Sequence, residues 1–165
     1  MSLIVVATDG SPAAAAALDA AIGLARETHD SLAVVTVWQA LQGDFGLAHP
    51  PTAVLSELLD AERDHAEATL AAAEEQARDA DVSVATHLLT GDPAQTICRF
   101  ADEHEARMIV VGTHGYGTVM SLLMGSVSES VIRRAPCPVL VARAHEDEAP
   151  PRGGLLRLAR PNGKA

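Results

Sequence analysis

Lysine is almost missing from this chain: Lys164, next to the C-terminus, is the only one. A Walker A loop needs a lysine before its Ser or Thr because the ammonium reaches the terminal phosphates, and a protein kinase needs one on an early strand. Both are excluded. Aromatic residues are scarce as well, with one Trp, one Tyr and two Phe. The core must therefore come from Ala, Val, Leu and Ile, a composition that suits parallel strands held between helices. The two cysteines, Cys98 and Cys137, lie in apolar patterns without CxxC spacing and read as reduced core thiols. The seven histidines show neither HxxxH nor HExxH, so no protein-ligated metal site is indicated.

Long hydrophobic runs are absent too, and Met1-Ser2 passes straight into the strand-like LIVVATD without a basic leader. The expectation is a cytoplasmic protein with no membrane insertion. Positive charge is short: residues 1 to 151 hold eight basic residues against all 22 acids, a net charge of −14. Non-specific nucleic-acid binding is disfavoured. The remaining Arg152, Arg157, Arg160 and Lys164 sit in the last fourteen residues, which contain no acid.

What is present reads as one domain of alternating strands and helices in 165 residues. Apolar runs at 3–8, 32–38, 82–89, 108–111 and 138–142 predict five strands. Ser11-Pro12 opens an Ala-rich helix to about Glu27, with Ser11 as N-cap and Pro12 in the first turn. Residues 39 to 53 read as a long loop. Leu55, Leu58, Leu59, Ala66 and Leu70 mark the inner face of a helix from Val54 to about Arg78. Thr90-Gly91-Asp92-Pro93 turns into a helix whose Ile97 and Phe100 face inward, and a last helix runs from Ser126 to about Arg134. This alternation predicts a doubly wound parallel sheet with helices on both faces. Residues 144 to 165 change in composition and read as a disordered tail, or as a short helix that docks on a partner or an anionic surface.

The stretch GTHGYGTVMSLLMGSVSESV, residues 112 to 131, carries two glycine and hydroxyl knots around a Met/Leu-rich spacer. Gly115-Tyr-Gly117-Thr-Val-Met120 misses the third glycine of a dinucleotide fingerprint. A different phosphate cradle remains open. Gly112 and Gly115 follow a strand and can expose main-chain N–H groups to an anion, while Gly125-Ser126-Val127-Ser128 opens a helix whose dipole favours one. Ligand-free readings stand beside these: a plain turn at Gly112, a Ser126/Glu129 capping box, Arg133 and Arg134 complementing the dipole of the last helix, and Asp9 as a turn cap. His114 lies in the loop without a neighbouring nucleophile or carboxylate pair to complete a mechanism.

The pattern of glycine, two residues, glycine, nine residues, glycine, Ser resembles the nucleotide-binding signature of the universal stress protein family. It stands here as Gly112-Thr-His-Gly115, Tyr116 to Met124, and Gly125-Ser126. The resemblance extends over residues 2 to 143, through IVVATDGS, the GDP turn, IVVGTHG, GSVSESVI and APCPVLVAR. It implies a Rossmann-like five-stranded sheet of order 3-2-1-4-5 in a domain spanning 1–143. It implies ATP as ligand, with Mg or Mn held mainly by phosphate oxygens and Asp9 as a possible contributor. Ala7 and Asp9 would lie by ribose and phosphates, and Val37 would meet adenine through its backbone. Gly112, Thr113, His114, Gly115, Tyr116, Gly117 and Thr118 would wrap the phosphates, with Gly125, Ser126, Val127 and Ser128 donating hydroxyl and N–H groups. The spacer lacks the basic residue that members often carry. A homodimer through the fifth strand, Pro138 to Ala142, is also implied. The leading reading is a nucleotide-dependent regulatory module of the stress response without a dedicated catalytic group. The alternatives are a slow ATPase or nucleotide-transferring enzyme, and a nucleotide-free interaction protein.

Overall fold

The computed structural model describes residues 1–38, 52–113 and 124–144, with the side chains of 52–55 left aside. Five strands, β1 (Leu3–Ala7), β2 (Ser31–Trp38), β3 (Val84–Thr90), β4 (Met108–Gly112) and β5 (Val139–Ala142), form one sheet. Every pairing is parallel and the order is β3-β2-β1-β4-β5, as expected. Four helices connect them: α1 (Pro12–Thr28), α2 (Thr52–Asp79), α3 (Pro93–Glu103) and α4 (Ser126–Arg134). The loop expected at 39–53 falls on positions outside the described residues up to 51, and so does the tail after Ala144.

Strand β1 shows why the chain folds this way. Ile4, Val5 and Val6 are all fully buried, which requires cover on both faces. Ile4 and Val6 pack with α1 and α2 through Ala17, Ala21, Leu70 and Ala77. Val5 points the other way, to a core with Ile97, Phe100 and Ala101 of α3 and Val131 of α4. Small alanines on α1 let that helix lie close on the sheet.

The helix starts follow local chemistry. Ser11 caps α1 by accepting from the Ala14 N–H at 3.2 Å, and Asp92 caps α3 by accepting from the Gln95 N–H at 2.9 Å. Pro12 and Pro93 stand in the first turn of each. Gly91 turns the chain at φ +136°, a conformation other residues rarely adopt.

Two expectations are corrected. The inner stripe of α2 is Ala66, Leu70, Ala73 and Ala77, whereas Leu58 is 51% exposed and Leu59 only half-buried. Sequence periodicity marks a helix face but not where the surface beneath it ends. The Ser126/Glu129 capping box does not form either: Gly125 is the N-cap, with no side-chain cap bond, and the Glu129 carboxylate pairs with Arg133 instead. Arg133 therefore neutralises a side chain of its own helix.

At the amino ends of the strands, Asp30 is buried (7% exposed). It accepts from the Ser2 N–H at 2.7 Å and the Thr28 hydroxyl at 2.8 Å, and it pairs with Arg107. These bonds, led by the Ser2 amide, hold its carboxyl below the usual range. The Arg107 N–H also donates to the Leu3 carbonyl at 2.8 Å, so one network ties the starts of β1, β2 and β4.

Candidate functional site

In a doubly wound sheet the ligand crevice lies beyond the carboxyl ends of the strands, where the order reverses. Here that point is between β1 and β4, which pair with each other while their next neighbours lie on opposite sides.

The β1 side is built by a sharp turn. After Ala7, the Thr8 N–H donates to the Val35 carbonyl at 2.9 Å, and the Thr36 hydroxyl donates back to the Thr8 carbonyl at 2.8 Å. The chain then bends at Gly10 (φ 78°). The Asp9 carboxylate accepts from the Ser11 N–H at 2.9 Å, so it performs the turn-capping task that strand-end carboxylates commonly have. Ala7 is half-buried and packs on the α3 side of the core, as does Val37 near the end of β2.

The β4 side is shaped at its first residue by packing against α1. A Cβ on Gly112 would lie 2.5 Å from the Ala13 carbonyl oxygen and 2.9 Å from the Ala14 nitrogen. Gly112 is thus bare because α1 begins against it. Thr113 is buried, and its N–H donates to the Ala142 carbonyl at 2.9 Å, continuing the β4–β5 ladder. The Thr113 carbonyl in turn accepts from the Gly125 N–H at 2.7 Å. The Ser128 hydroxyl donates to the Gly112 carbonyl at 2.7 Å. Ser128 was expected to offer that hydroxyl to phosphate; burial and the nearby carbonyl have claimed it.

These bonds bring the two glycine knots together although ten residues, 114 to 123, lie between them and outside the described residues. His114, Gly115, Tyr116, Gly117 and Thr118 belong to that segment. What the arrangement presents is the first turn of α4: Ser126 and Val127 are exposed, and no side chain caps their end of the helix. Uncapped first-turn amides form a donor set suited to an anion.

Near the same end of the sheet, the Trp38 indole N–H is buried without a hydrogen-bond partner. It is the single such side-chain atom among the described residues. Sequence reading missed it, along with the Thr8–Thr36 link and the Ala13–Gly112 contact. Only the strand-final position of Trp38 hinted at the first; the other two depend on packing. Among the described residues, no group of three or more His, Cys, Asp or Glu is placed to hold a metal ion, and no helix is long and apolar enough to cross a membrane. Cys98 and Cys137 are free thiols, both pushed up in pKa chiefly by burial.

The fold and this site define a class: a doubly wound parallel α/β domain with an anion-suited helix start at its switch point. The model of the universal stress protein family matches residues 1–143. The chain belongs to that family. It is 32% identical over 144 residues to the universal stress protein YxiE of Bacillus subtilis, covering 85% of this chain and 97% of YxiE. Among solved structures it is similar to the universal stress protein UspA from Lactobacillus plantarum, with 32% identity, a TM-score of 0.75, and coverage of 86% of this chain and 97% of that one. It is also similar to a universal stress protein from Archaeoglobus fulgidus solved in complex with dAMP, with 29% identity, a TM-score of 0.62, and coverage of 86% and 97%.

Proposed function

We propose that this chain is an adenine-nucleotide-binding regulatory module, with ATP carrying Mg or Mn as its ligand and nucleotide occupancy changing what it binds. The observation that carries this is the junction in which the Gly125 N–H meets the Thr113 carbonyl, setting the uncapped start of α4 beside the end of β4. The dAMP complex of the Archaeoglobus relative supports an adenine nucleotide as the ligand class.

In this reading the N–H groups of Ser126, Val127 and Ser128 and the hydroxyl of Ser126 meet phosphate oxygens. Residues 112 to 118 wrap them, Val37 meets adenine through its backbone, and Ala7 and Asp9 lie by the ribose. With no basic residue in the spacer, charge is met by main-chain dipoles and the divalent ion, which makes affinity dependent on that ion. The chain's own contribution is binding and orientation; a regulatory role needs only different affinities in two states.

Isothermal calorimetry with Mg-ATP and with AMP tests the reading. The wild type is expected to bind and Gly115→Val to lose most of the heat; equal heats would reject the site. The protein is expected to act as a cytoplasmic homodimer through β5, whose Leu140 is exposed and whose outer edge is open to strand addition. Sedimentation that returns monomer alone at high concentration would reject the dimer.

A further inference from the structure

The turn at Gly91 folds α3 back over the edge strand β3, and this brings together two histidines that are far apart in the sequence, His87 and His104. His87 lies on the same side of β3 as Leu89, which packs with the α3 core, because side chains alternate along a strand. His104 ends α3 one turn after Phe100, so the two share a helix face. Phe100, only 6% exposed, holds both rings: its centroid is 4.7 Å from that of His87 and 4.0 Å from that of His104. The centroids of the two imidazoles are 6.3 Å apart.

His104 is prepared as a ligand. Its Nδ1 lies 2.9 Å from the Phe100 carbonyl oxygen. A carbonyl only accepts, so Nδ1 carries the proton and Nε2 keeps its unshared pair. A ring N–H donated to a backbone carbonyl is the outer-shell bond that metal-binding histidines make, since it fixes the tautomer and makes the other nitrogen more basic. Position favours a cation as well. His104 caps the carboxyl end of α3, where the helix dipole is negative, and the exposed Asp102, Glu103 and Glu105 surround it in sequence. His104 is exposed and His87 half-buried, so an ion can enter from solvent.

Spacing and ligand count narrow the choice of ion. With metal–nitrogen bonds of about 2.0–2.1 Å, two imidazoles in line through one ion have centroids about 6.4 Å apart, against about 5.2 Å in a tetrahedral site. The observed 6.3 Å matches the in-line arrangement. Among the described residues no third His, Cys, Asp or Glu joins the pair, so the ion must keep solvent ligands. Mg²⁺ and Ca²⁺ take oxygen ligands, and structural Zn²⁺ takes four from the protein. Cu²⁺ takes nitrogen and oxygen in a tetragonal array and binds a given site more tightly than the neighbouring divalent ions.

We propose that His87 and His104 bind one Cu²⁺ ion as opposite ligands, with water in the remaining positions. The site lies on the β3/α3 edge, outside the crevice between β1 and β4, and the inference holds whether or not the chain binds a nucleotide.

Titration of the chelator-treated full chain with copper(II) chloride at neutral pH, followed by calorimetry and electron paramagnetic resonance, tests it. The wild type is expected to take up one ion per chain, with spectral splitting from two nitrogens. H104Q, at an exposed position, and H87F, which keeps a ring on Phe100, should each weaken binding about tenfold or more, because each removes one of two linked ligands. H65Q and H145Q should bind as the wild type does. Copper should raise the melting temperature of the wild type and leave that of H104Q unchanged; the melting of metal-free H104Q shows that it is folded. Equal affinity in the wild type, H87F and H104Q would overturn the proposal. So would a wild type that takes up no copper, or a loss of binding that follows H65Q or H145Q instead.

Discussion

Gly112 and Ala13 are in main-chain contact: any Cβ at position 112 would sit 2.5 Å from the Ala13 carbonyl oxygen. The obstacle is backbone, which cannot rotate away as a flexible side chain would. Gly112→Ala must therefore push α1 off β4. We expect a loss of about 1–3 kcal/mol, the usual cost of overpacking a filled core. Urea unfolding of both proteins checks this.

Ser128→Ala is expected to cost roughly 1–2 kcal/mol, because it removes a buried hydroxyl bond to the Gly112 carbonyl. Ser126→Ala, at an exposed position that makes no capping bond, is expected to stay within about 0.5 kcal/mol. The same unfolding measurement distinguishes them; an equal loss for both would restore the capping-box reading.

Acid sensitivity should trace in part to Asp30. Its carboxyl is held below the usual range by the Ser2 amide, then by Thr28 and Arg107, against the opposing effect of burial. A lowered folded pKa stabilises fully above the free carboxyl range, near about pH 4, and that contribution fades as pH falls through the folded value. Asp30→Asn should lower stability at neutral pH and flatten the acid limb of a stability-versus-pH curve. A limb of unchanged slope would refute this.

His87 should act at milder acidity. It packs at 4.7 Å from Phe100, and burial together with the nearby His104 pushes its pKa below the ordinary histidine value. The unfolded chain then takes up the proton first, so stability falls as pH drops below about 6.5. His87→Phe keeps a ring on Phe100 and should remove that decline. Melting temperatures at pH 7.5 and 5.5, compared for the two proteins, provide the measure.

The strands were legible because β1, β2 and β4 are buried on both faces and so read as unbroken apolar runs; their order came from the family resemblance, since apolar runs do not say which strands pair. The caps Ser11 and Asp92 were legible because capping is a local matter of one side chain and one turn. Gly112 was found for a reason that proved incomplete: the residue type announces that space is short, but not whether an anion or the start of α1 takes it. Ser128 illustrates the same limit, since its partner lies sixteen residues back in the chain. Nor could periodicity say that Leu58 stands exposed, because that depends on what the fold sets beneath the helix.

The Asp30 network fastens the starts of β1, β2 and β4 with a buried carboxylate, an arginine and a main-chain amide. At the opposite pole, the links between elements among the described residues include neutral bonds such as Gly125 to Thr113 and Ser128 to Gly112, and the carboxylates of Asp9 and Asp92 cap their own turns. Among the described residues, the ion pair that fastens separate strands thus stands at the pole away from the glycine stretch.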